Sequence, residues 1–261
     1  MGVDYAAAKK LVQLSAKFPN RGRVLMLGRH KLRMVPKHRS ALERVMTQEG
    51  LSLSYTDLQQ EDGYAERFFH QLGYTDVVSM DFSDYEGAEI IHDLNEPVPD
   101  ELKGQFDLIF DGGTTEHVFD VATCMRNLFD LLAPAGILVG CSPANGWLGH
   151  GFYQFGPELV YGFWKLRMGC EVIHCSILPE RLRHKEIPLK DNIAHGNRIR
   201  FYDKVPKERV YLYYEVQKGI HAGDRGRTLQ SDYVAKWNRF DAAQGREDTD
   251  IMKLRQQHMK T

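Results

Sequence analysis

Cysteine is scarce in this chain, and long hydrophobic runs are absent. The few cysteines lie inside apolar helix and strand patterns, and no two of them form a C-x-x-C pair. This pattern is typical of buried free thiols and favours neither a disulfide framework nor a thiolate-bound metal. The cysteines are Cys124, Cys141, Cys170 and Cys175. No apolar stretch approaches the roughly 18 residues of a membrane-spanning helix, and no signal-peptide pattern is found, so we expect a cytoplasmic protein.

An excess of charge of one sign is also lacking. The chain has 34 Lys and Arg against 35 Asp and Glu, a formal net charge of −1. Nucleic acid or an anionic membrane as partner would favour a basic excess. We therefore expect a small-molecule substrate and neither of those partners, and we leave a homo-oligomer open. With 261 residues, 43% of them apolar, the chain is long enough for one large domain with a substantial core.

The clearest pattern lies between residues 105 and 151. A short apolar run, 106–110, ends at Asp111 and is followed by two glycines. A segment with helical apolar spacing comes next, and after Pro134 and Gly136 a second apolar run covers 137–141. Two buried strands around a helix form a βαβ unit, which predicts a parallel sheet covered by helices. Ligands bind beyond the carboxyl ends of such strands, so we expect the site near residues 111–117 and 142–150.

The remaining elements follow from the same patterns. A helix over 40–48 is predicted to begin at Ser40, with Glu43 completing a capping box, and Gly73 is predicted to close a helix over 62–72. Further strands are predicted at 23–28, 77–80, 88–92, 171–177 and 208–216, and further helices at 5–18, 157–168, 231–240 and 249–260. The last of seven strand candidates follows the sixth without a helix between them. The organisation is thus an N-terminal helix (1–22), a catalytic domain (23–217) with a substrate-side loop (178–203), and a polar helical extension (218–261).

Three segments carry a resemblance to the class I S-adenosylmethionine-dependent methyltransferases. The run TTEHVFDVATCMRNLFDLLAPAGILV resembles that family's fourth strand, helix and fifth strand, with Ala135 in place of the first glycine of its Pro-Gly-Gly turn. HDLNEP resembles the end of the third strand, and GHGFYQFGPEL resembles a motif of methyltransferases in sugar and cell-surface glycan pathways. The resemblance covers about residues 23–217. It implies an α/β, Rossmann-like, doubly wound sheet of seven mostly parallel strands with an antiparallel last strand.

The resemblance also implies S-adenosylmethionine as cofactor and assigns residues to it. Asp81 would accept from the ribose hydroxyls, with Phe82 and Ser83 lining the adenine, and Asp93 with Leu94 would hold the adenine edge. A solvated strand-end aspartate and a helix cap are the ordinary alternatives for the two acids.

Glycine backbone would approach the methionine part of the cofactor at Gly28 and at Asp111-Gly112. The family's loop after the first strand normally reads G-x-G-x-G, whereas this chain has Gly28 followed by Arg29, His30 and Lys31. Gly28 could also be simply a tight exit from the strand.

Two histidines are candidates for a catalytic base. His150 lies between two glycines and is followed by aromatics, which suits an acceptor site, and His117 follows the strand-end turn. Tyr153 and Gln154 are predicted to contact substrate. The alternatives are a structural histidine at 117 and a loop without a role at 150–154.

We predict no metal site from the sequence. Asp111 lacks acidic partners in register, and His174, His184 and His195 lack ligand spacing. The basic run 29–39 could receive a phosphate or a nucleotide-linked substrate, although a solvated face is the commoner explanation. Its fixed charges are Arg29, Lys31, Arg33, Lys37 and Arg39.

The resemblance thus implies an O-methyltransferase acting on a small polar acceptor, with a sugar or glycan precursor favoured. The alternative is a catalytically silent methyltransferase-like domain that binds or scaffolds, for which the incomplete glycine loop is the best indication. An NAD-dependent nucleotide-sugar enzyme is a weaker third hypothesis, because it would need the glycine fingerprint even more.

Overall fold

One mixed sheet of eight strands organises the chain in the computed structural model, which describes residues 2–18, 22–191, 199–201 and 204–244. The strands are β1 (Arg23–Leu27), β2 (Asp76–Asp81), β3 (Ile90–Ile91), β4 (Phe106–Asp111), β5 (Leu132–Pro143), β6 (Glu171–Pro179), β7 (Ile187–Pro188) and β8 (Val210–Gln217). The α-helices are α1 (Tyr5–Lys17), α2 (Pro36–Gln48), α3 (Glu66–Gln71), α4 (Val121–Leu131) and α5 (Ser231–Ala243), and a π-helix covers Leu159–Arg167.

The strand order is β3-β2-β1-β4-β5-β8-β6-β7. Strands β1 to β5 pair in parallel, whereas β8 runs antiparallel to both β5 and β6. This arrangement confirms the predicted doubly wound fold with an antiparallel last strand. The chain order reverses between β1 and β4, and ligands of such sheets bind at that point, beyond the carboxyl ends of the strands.

Both faces of the sheet are buried. In β1, Val24 and Met26 belong to one apolar cluster, which α1 and α2 share. Leu25 and Leu27 belong to a second cluster on the other face, shared with α4 and the π-helix. Burial on both faces explains why the central strands are continuous apolar runs rather than alternating ones.

Several helix boundaries differ from their predictions for local reasons. Helix α2 begins at Pro36 rather than Ser40, because proline suits the first turn, where its missing N–H is not needed. The Ser40 hydroxyl instead bonds to the Pro36 carbonyl oxygen. Helix α4 begins at Val121, where the Asp120 carboxylate accepts from the backbone N–H of Thr123. The predicted helix over 157–168 forms, but most of it has π rather than α hydrogen bonding.

The two ends of the sheet differ most from the prediction. β3 has only two residues instead of the five predicted. The Glu89 carboxylate accepts hydrogen bonds from the Ser79 N–H and hydroxyl at 2.7 Å each, so this N–H does not pair with the backbone of β3. β7 lies inside the segment predicted as a loop and pairs antiparallel with β6. The predicted helix over 249–260 and parts of that loop, 192–198 and 202–203, lie outside the described residues.

The four cysteines are free and buried, as predicted. In the ranges given above, no helix combines the length and the apolar character needed to cross a membrane.

Candidate functional site

Loops after β1, β2 and β4 meet at the predicted crevice. Gly28 adopts φ +78°, which glycine tolerates, and its N–H donates to the Met80 carbonyl oxygen at 2.7 Å. A Cβ built on Gly28 would lie 3.4 Å from Thr114 Oγ1 and 3.7 Å from Asp81 Oδ2. The structure therefore brings Gly28, Asp81 and Thr114 together, and Thr114 fixes its own loop by donating to the Leu27 carbonyl oxygen.

The two carboxylate oxygens of Asp81 have different neighbours. Its Oδ1 accepts from the backbone N–H of Phe82 at 2.7 Å, while Oδ2 is the oxygen on the side of Gly28. The Phe82 side chain is 70% exposed, and Ser83 is exposed beside it. An exposed ring next to a half-buried carboxylate can provide a stacking surface for a planar group.

Asp93 and Leu94 follow the neighbouring strand end. Asp81 is in register with Ile91, so Asp93 lies just beyond the same edge of the sheet. Asp93 Oδ1 accepts from the backbone N–H and the side-chain amide of Asn95, which lowers the pKa of Asp93. Leu94 is buried. The carboxylate thus closes a turn rather than capping a helix.

Asp111 is buried and holds the turn after β4 through its side chain. Oδ1 accepts from the backbone N–H groups of Gly113, Thr114 and Thr115, and Oδ2 accepts from the Thr115 hydroxyl at 2.6 Å. A Cβ on Gly112 would lie 2.7 Å from the Phe110 ring and 2.8 Å from His30 Nε2. The Asp111 side chain thus serves its own turn, and the packing around Gly112 leaves no room for a side chain.

His30, which the sequence placed merely in a basic loop, is part of this packing. It is 4% exposed and lies edge-on to the Phe110 ring, with ring centroids 5.3 Å apart. Arg29 beside it pairs with Glu66 and Asp62 and covers the Tyr64 ring. The side chains at the start of the basic run therefore form ion pairs and packing contacts within the fold.

Glu116, His117 and His150 converge at the carboxyl ends of β4 and β5. Glu116 Oε1 lies 3.4 Å from His150 Nε2 and 3.7 Å from His117 Nε2. The Glu116 side chain is fully buried, and burial together with the charge of Asp111 raises its pKa to about 8. Burial lowers the pKa of both histidines, and the neighbouring His117 lowers that of His150 further.

The loop that carries His150 is fastened on two sides. Trp147 is buried, donates from Nε1 to the Val210 carbonyl oxygen at 3.0 Å, and lies 4.9 Å from the His150 ring. Phe152 N–H donates to the Glu116 carbonyl oxygen at 2.8 Å. A Cβ on Gly151 would lie 2.8 Å from that same oxygen, so glycine permits the close approach.

The predicted substrate residues follow directly. The Tyr153 hydroxyl donates to the Phe119 carbonyl oxygen at 2.7 Å, and Gln154 is exposed. Phe119 and Phe152 are 70% and 66% exposed, with ring centroids 5.5 Å apart. They form an apolar surface beside the histidines.

A cleft of about 720 Å³ adjoins this loop at Gly146. Its charged lining is mostly basic: Lys37, Arg181, Arg183, Lys207 and Arg209, against Glu180 and Glu208. Glu208 is already paired with Arg183 and His184. The far end of the basic run thus reaches the cleft, whereas its start does not.

The other histidines named from the sequence lie in other places. His174 Nε2 contacts Glu186 Oε1 at 2.6 Å in an ion-pair cluster with Lys10. His184 contacts Glu208, and His195 is outside the described residues.

No protein-family model matches the chain, and no curated protein matches it. Among solved structures, it is similar to the 1,6-didemethyltoxoflavin-N1-methyltransferase of Burkholderia thailandensis with bound 1,6-didemethyltoxoflavin and S-adenosylhomocysteine. The identity is 14%, over 83% of this chain and 80% of that one, with a TM-score of 0.44.

It is also similar to the [4+2]-cyclase SpnF, with 14% identity over 82% of both chains and a TM-score of 0.41. An S-adenosylmethionine-dependent methyltransferase from Mesorhizobium loti shares 13% identity over 81% of this chain and 98% of that one, with a TM-score of 0.35. Similarities this low assign neither a family nor an activity or substrate.

Proposed function

We propose that the chain is an S-adenosylmethionine-dependent methyltransferase acting on a small polar acceptor, with an oxygen of a sugar or glycan precursor favoured. One observation carries the proposal: Asp81, at the end of β2, directs an oxygen toward Gly28 at the end of β1. These strands are neighbours at the point where the strand order reverses.

The residues around this point fit the cofactor. Asp81 Oδ2 would accept from the ribose hydroxyls, Phe82 would stack on the adenine, and Asp93 with Leu94 would border its edge. Gly28 and the backbone of Asp111 and Gly112 would face the methionine part. When bound, the cofactor supplies a methyl group on a positively charged sulfur.

The acceptor side would be formed by the loop after β5 and the turn after β4. His150 or His117 would take the proton of an acceptor hydroxyl, because histidine is the usual general base and both follow the ends of neighbouring strands, β5 and β4. Tyr153 and Gln154 would contact the acceptor, and the exposed Phe119–Phe152 pair suits the apolar face of a sugar ring. We further propose that the loop 178–203 contributes to substrate binding. We also propose that the protein acts in the cytoplasm.

The basic cleft favours an acceptor that carries a phosphate or another anionic group. Five cationic side chains against two carboxylates line it, and it borders the His150 loop at Gly146. A nucleotide-linked or phosphorylated sugar would satisfy both the cleft and the aromatic surface.

A silent binding domain is the second candidate. The buried His30 occupies the space beside Gly112, where the family's second and third loop glycines would leave room. If that packing excludes the methionine part of the cofactor, only the binding role remains.

Calorimetric titration of the purified protein with S-adenosylmethionine tests the proposal. We expect saturable binding that Asp81→Ala weakens by at least about 100-fold, since it removes two charge-assisted hydrogen bonds worth about 1.5–3 kcal/mol each. Asp84→Ala, in the same exposed loop, is the matched control and should bind normally. No heat at millimolar cofactor, or equal loss in both variants, contradicts the proposal.

With an acceptor in hand, His150→Ala tests the proposed base. Loss of a general base slows transfer by about 10²–10⁴-fold, and the Kd for S-adenosylmethionine should stay unchanged because His150 lies on the acceptor side. An unchanged transfer rate would move the role to His117 or remove the need for a base.

A further inference from the structure

The Glu116–His117–His150 cluster has the composition of a metal site. Glu116 and His117 lie on one turn after β4, and His150 lies on the loop after β5. One ligand atom from each lies within 4.8 Å of the other two. Two imidazoles and one carboxylate are ligands that Zn²⁺ and similar divalent transition-metal ions take in proteins.

The separations within the cluster fit coordination of one ion. Zinc binds nitrogen and oxygen at about 2.0–2.2 Å, so ligand atoms around a tetrahedral ion lie about 3.3–3.6 Å apart. Glu116 Oε1 lies 3.4 Å from His150 Nε2 and 3.7 Å from His117 Nε2. The ligand atoms of His117 and His150 lie within 4.8 Å of each other, so small side-chain adjustments would bring all three to coordination distance.

The chemistry of Glu116 independently calls for a positive partner. Among the residues that the structure describes, none forms a hydrogen bond with either buried carboxylate oxygen of Glu116 or with the buried Nε2 of His150. The 3.4 Å contact between them lacks hydrogen-bond geometry. A buried carboxylate without a partner costs several kcal/mol. A proton would neutralise Glu116, but a cation would in addition use the lone pair of His150 Nε2.

The cluster is also held in place by its surroundings. Trp147 packs on His150 and is anchored to the Val210 carbonyl oxygen, and Phe152 N–H bonds to the Glu116 backbone. Ligands fixed by packing and backbone contacts bind metal at a lower ordering cost. The His117 side chain is 46% exposed, which leaves the cluster open on one side. Catalytic sites keep such an open position, whereas structural sites close it.

We propose that Glu116, His117 and His150 bind a divalent transition-metal ion, Zn²⁺ or one of similar chemistry, with an open position toward the crevice. With an ion bound, His117 and His150 would act as its ligands and not as the proton acceptor, and the ion would lower the pKa of an acceptor hydroxyl that coordinates it. Only this consequence rests on the proposed methyl transfer. The site itself is independent of the cofactor.

Metal titration of the chelator-treated full chain tests the site. We expect Zn²⁺ to bind one to one by calorimetry, and Co²⁺ to give visible absorption bands typical of nitrogen and oxygen coordination. Glu116→Gln, His117→Ala and His150→Ala should each weaken binding by more than about 100-fold, because loss of an outer partner alone costs about 10–100-fold. His221→Ala, which removes an exposed histidine, is the matched control and should bind as the wild type does.

Three results would overturn the site: no Zn²⁺ binding by the wild type, unchanged binding in all three cluster variants, or equal loss in His221→Ala. Circular dichroism of each variant excludes misfolding as the cause of a loss. Titration of the same preparations with S-adenosylmethionine keeps the two proposals apart. Metal binding without cofactor binding contradicts only the methyltransferase, and cofactor binding without metal binding contradicts only the site.

Discussion

The side chains around the crevice divide into those that can meet a ligand and those that hold loops in place. Asp111 belongs to the second group, because its four hydrogen bonds stay within its own turn. Asp81 belongs to the first, with one oxygen on the side of Gly28. Both are aspartates at strand ends, so sequence position alone could not separate them.

The sequence named several residues of the candidate site but not the contacts between them. His117 and His150 could be named because each follows a strand end. The proximity of these histidines to Glu116 could not be predicted, because it depends on how closely the loop at Gly151 approaches the Glu116 backbone. Trp147 and Thr114 were missed for the same reason: their roles are contacts between segments that are distant in the chain.

Gly151→Ala tests that close approach at the scale of one methyl group. The new Cβ would meet the Glu116 carbonyl oxygen at 2.8 Å and its Cγ at 2.9 Å, so the loop must shift. We expect the free energy of unfolding to fall by about 1–3 kcal/mol, as for other overpacked sites. Urea denaturation measures it.

Gly156→Ala is the matched control for that substitution. It lies in the same loop, no atom of the described residues lies within 4 Å of the added Cβ, and its φ is not positive. Its unfolding free energy should stay within about 0.5 kcal/mol of the wild type. Equal effects of the two substitutions would contradict the close approach as the cause.

At the scale of helices and strands, the strongly periodic or fully apolar segments were predicted well. The central strands were recognisable because helices cover both of their faces, and β8 because of its aromatic content. Of the edge strands, β3 was predicted with bounds that were too long, and β7 was missed, because no pattern can form over two residues. Short edge strands also limit pairing with other chains.

The irregular start of β5 contains a backbone conformation that favours glycine, at a residue that is not glycine. Ala135 has φ +62°, a conformation that favours glycine, and it stands where the resemblance expects one. Its N–H donates to the Lys218 carbonyl oxygen at 2.8 Å, and its own carbonyl oxygen accepts from the Gln217 side chain. Gln217 at the end of β8 and Lys218 just after it thus hold the start of β5 in this conformation.

At the scale of the whole molecule, the N-terminal helix α1 contacts both the centre of the sheet and its β6–β7 edge. Apolar residues of α1 share a cluster with β1 and α2. Lys10, buried on the same helix, pairs with Glu186 Oε1 at 2.8 Å, and Glu186 also contacts His174 on β6. A separate N-terminal unit that ends at residue 22 therefore remains a proposal from the sequence. In the structure, α1 packs against the sheet.

Glu186→Gln tests how much this connection stabilises the fold. Burial alone would raise the pKa of Glu186, but hydrogen bonds from His174 and Lys10 lower it to about 2, from 4.5. A carboxylate with a lowered pKa stabilises the folded state above its unfolded pKa and loses that contribution as the pH falls through its folded pKa. We expect the variant to lose about 2–3 kcal/mol of unfolding free energy at pH 7. That difference should shrink between pH 4.5 and pH 2.

Urea denaturation of wild type and variant at pH 7, 5, 4 and 3 measures the difference directly, provided that both are still folded before urea is added. Glu101→Gln, at an exposed glutamate, is the control and should change stability little at any pH. A Glu186 difference that stays constant from pH 7 to pH 3 would mean that the lost stability comes from packing rather than from the ionised carboxylate. In that case the ion-pair cluster would not be what stabilises the junction between α1 and the edge of the sheet.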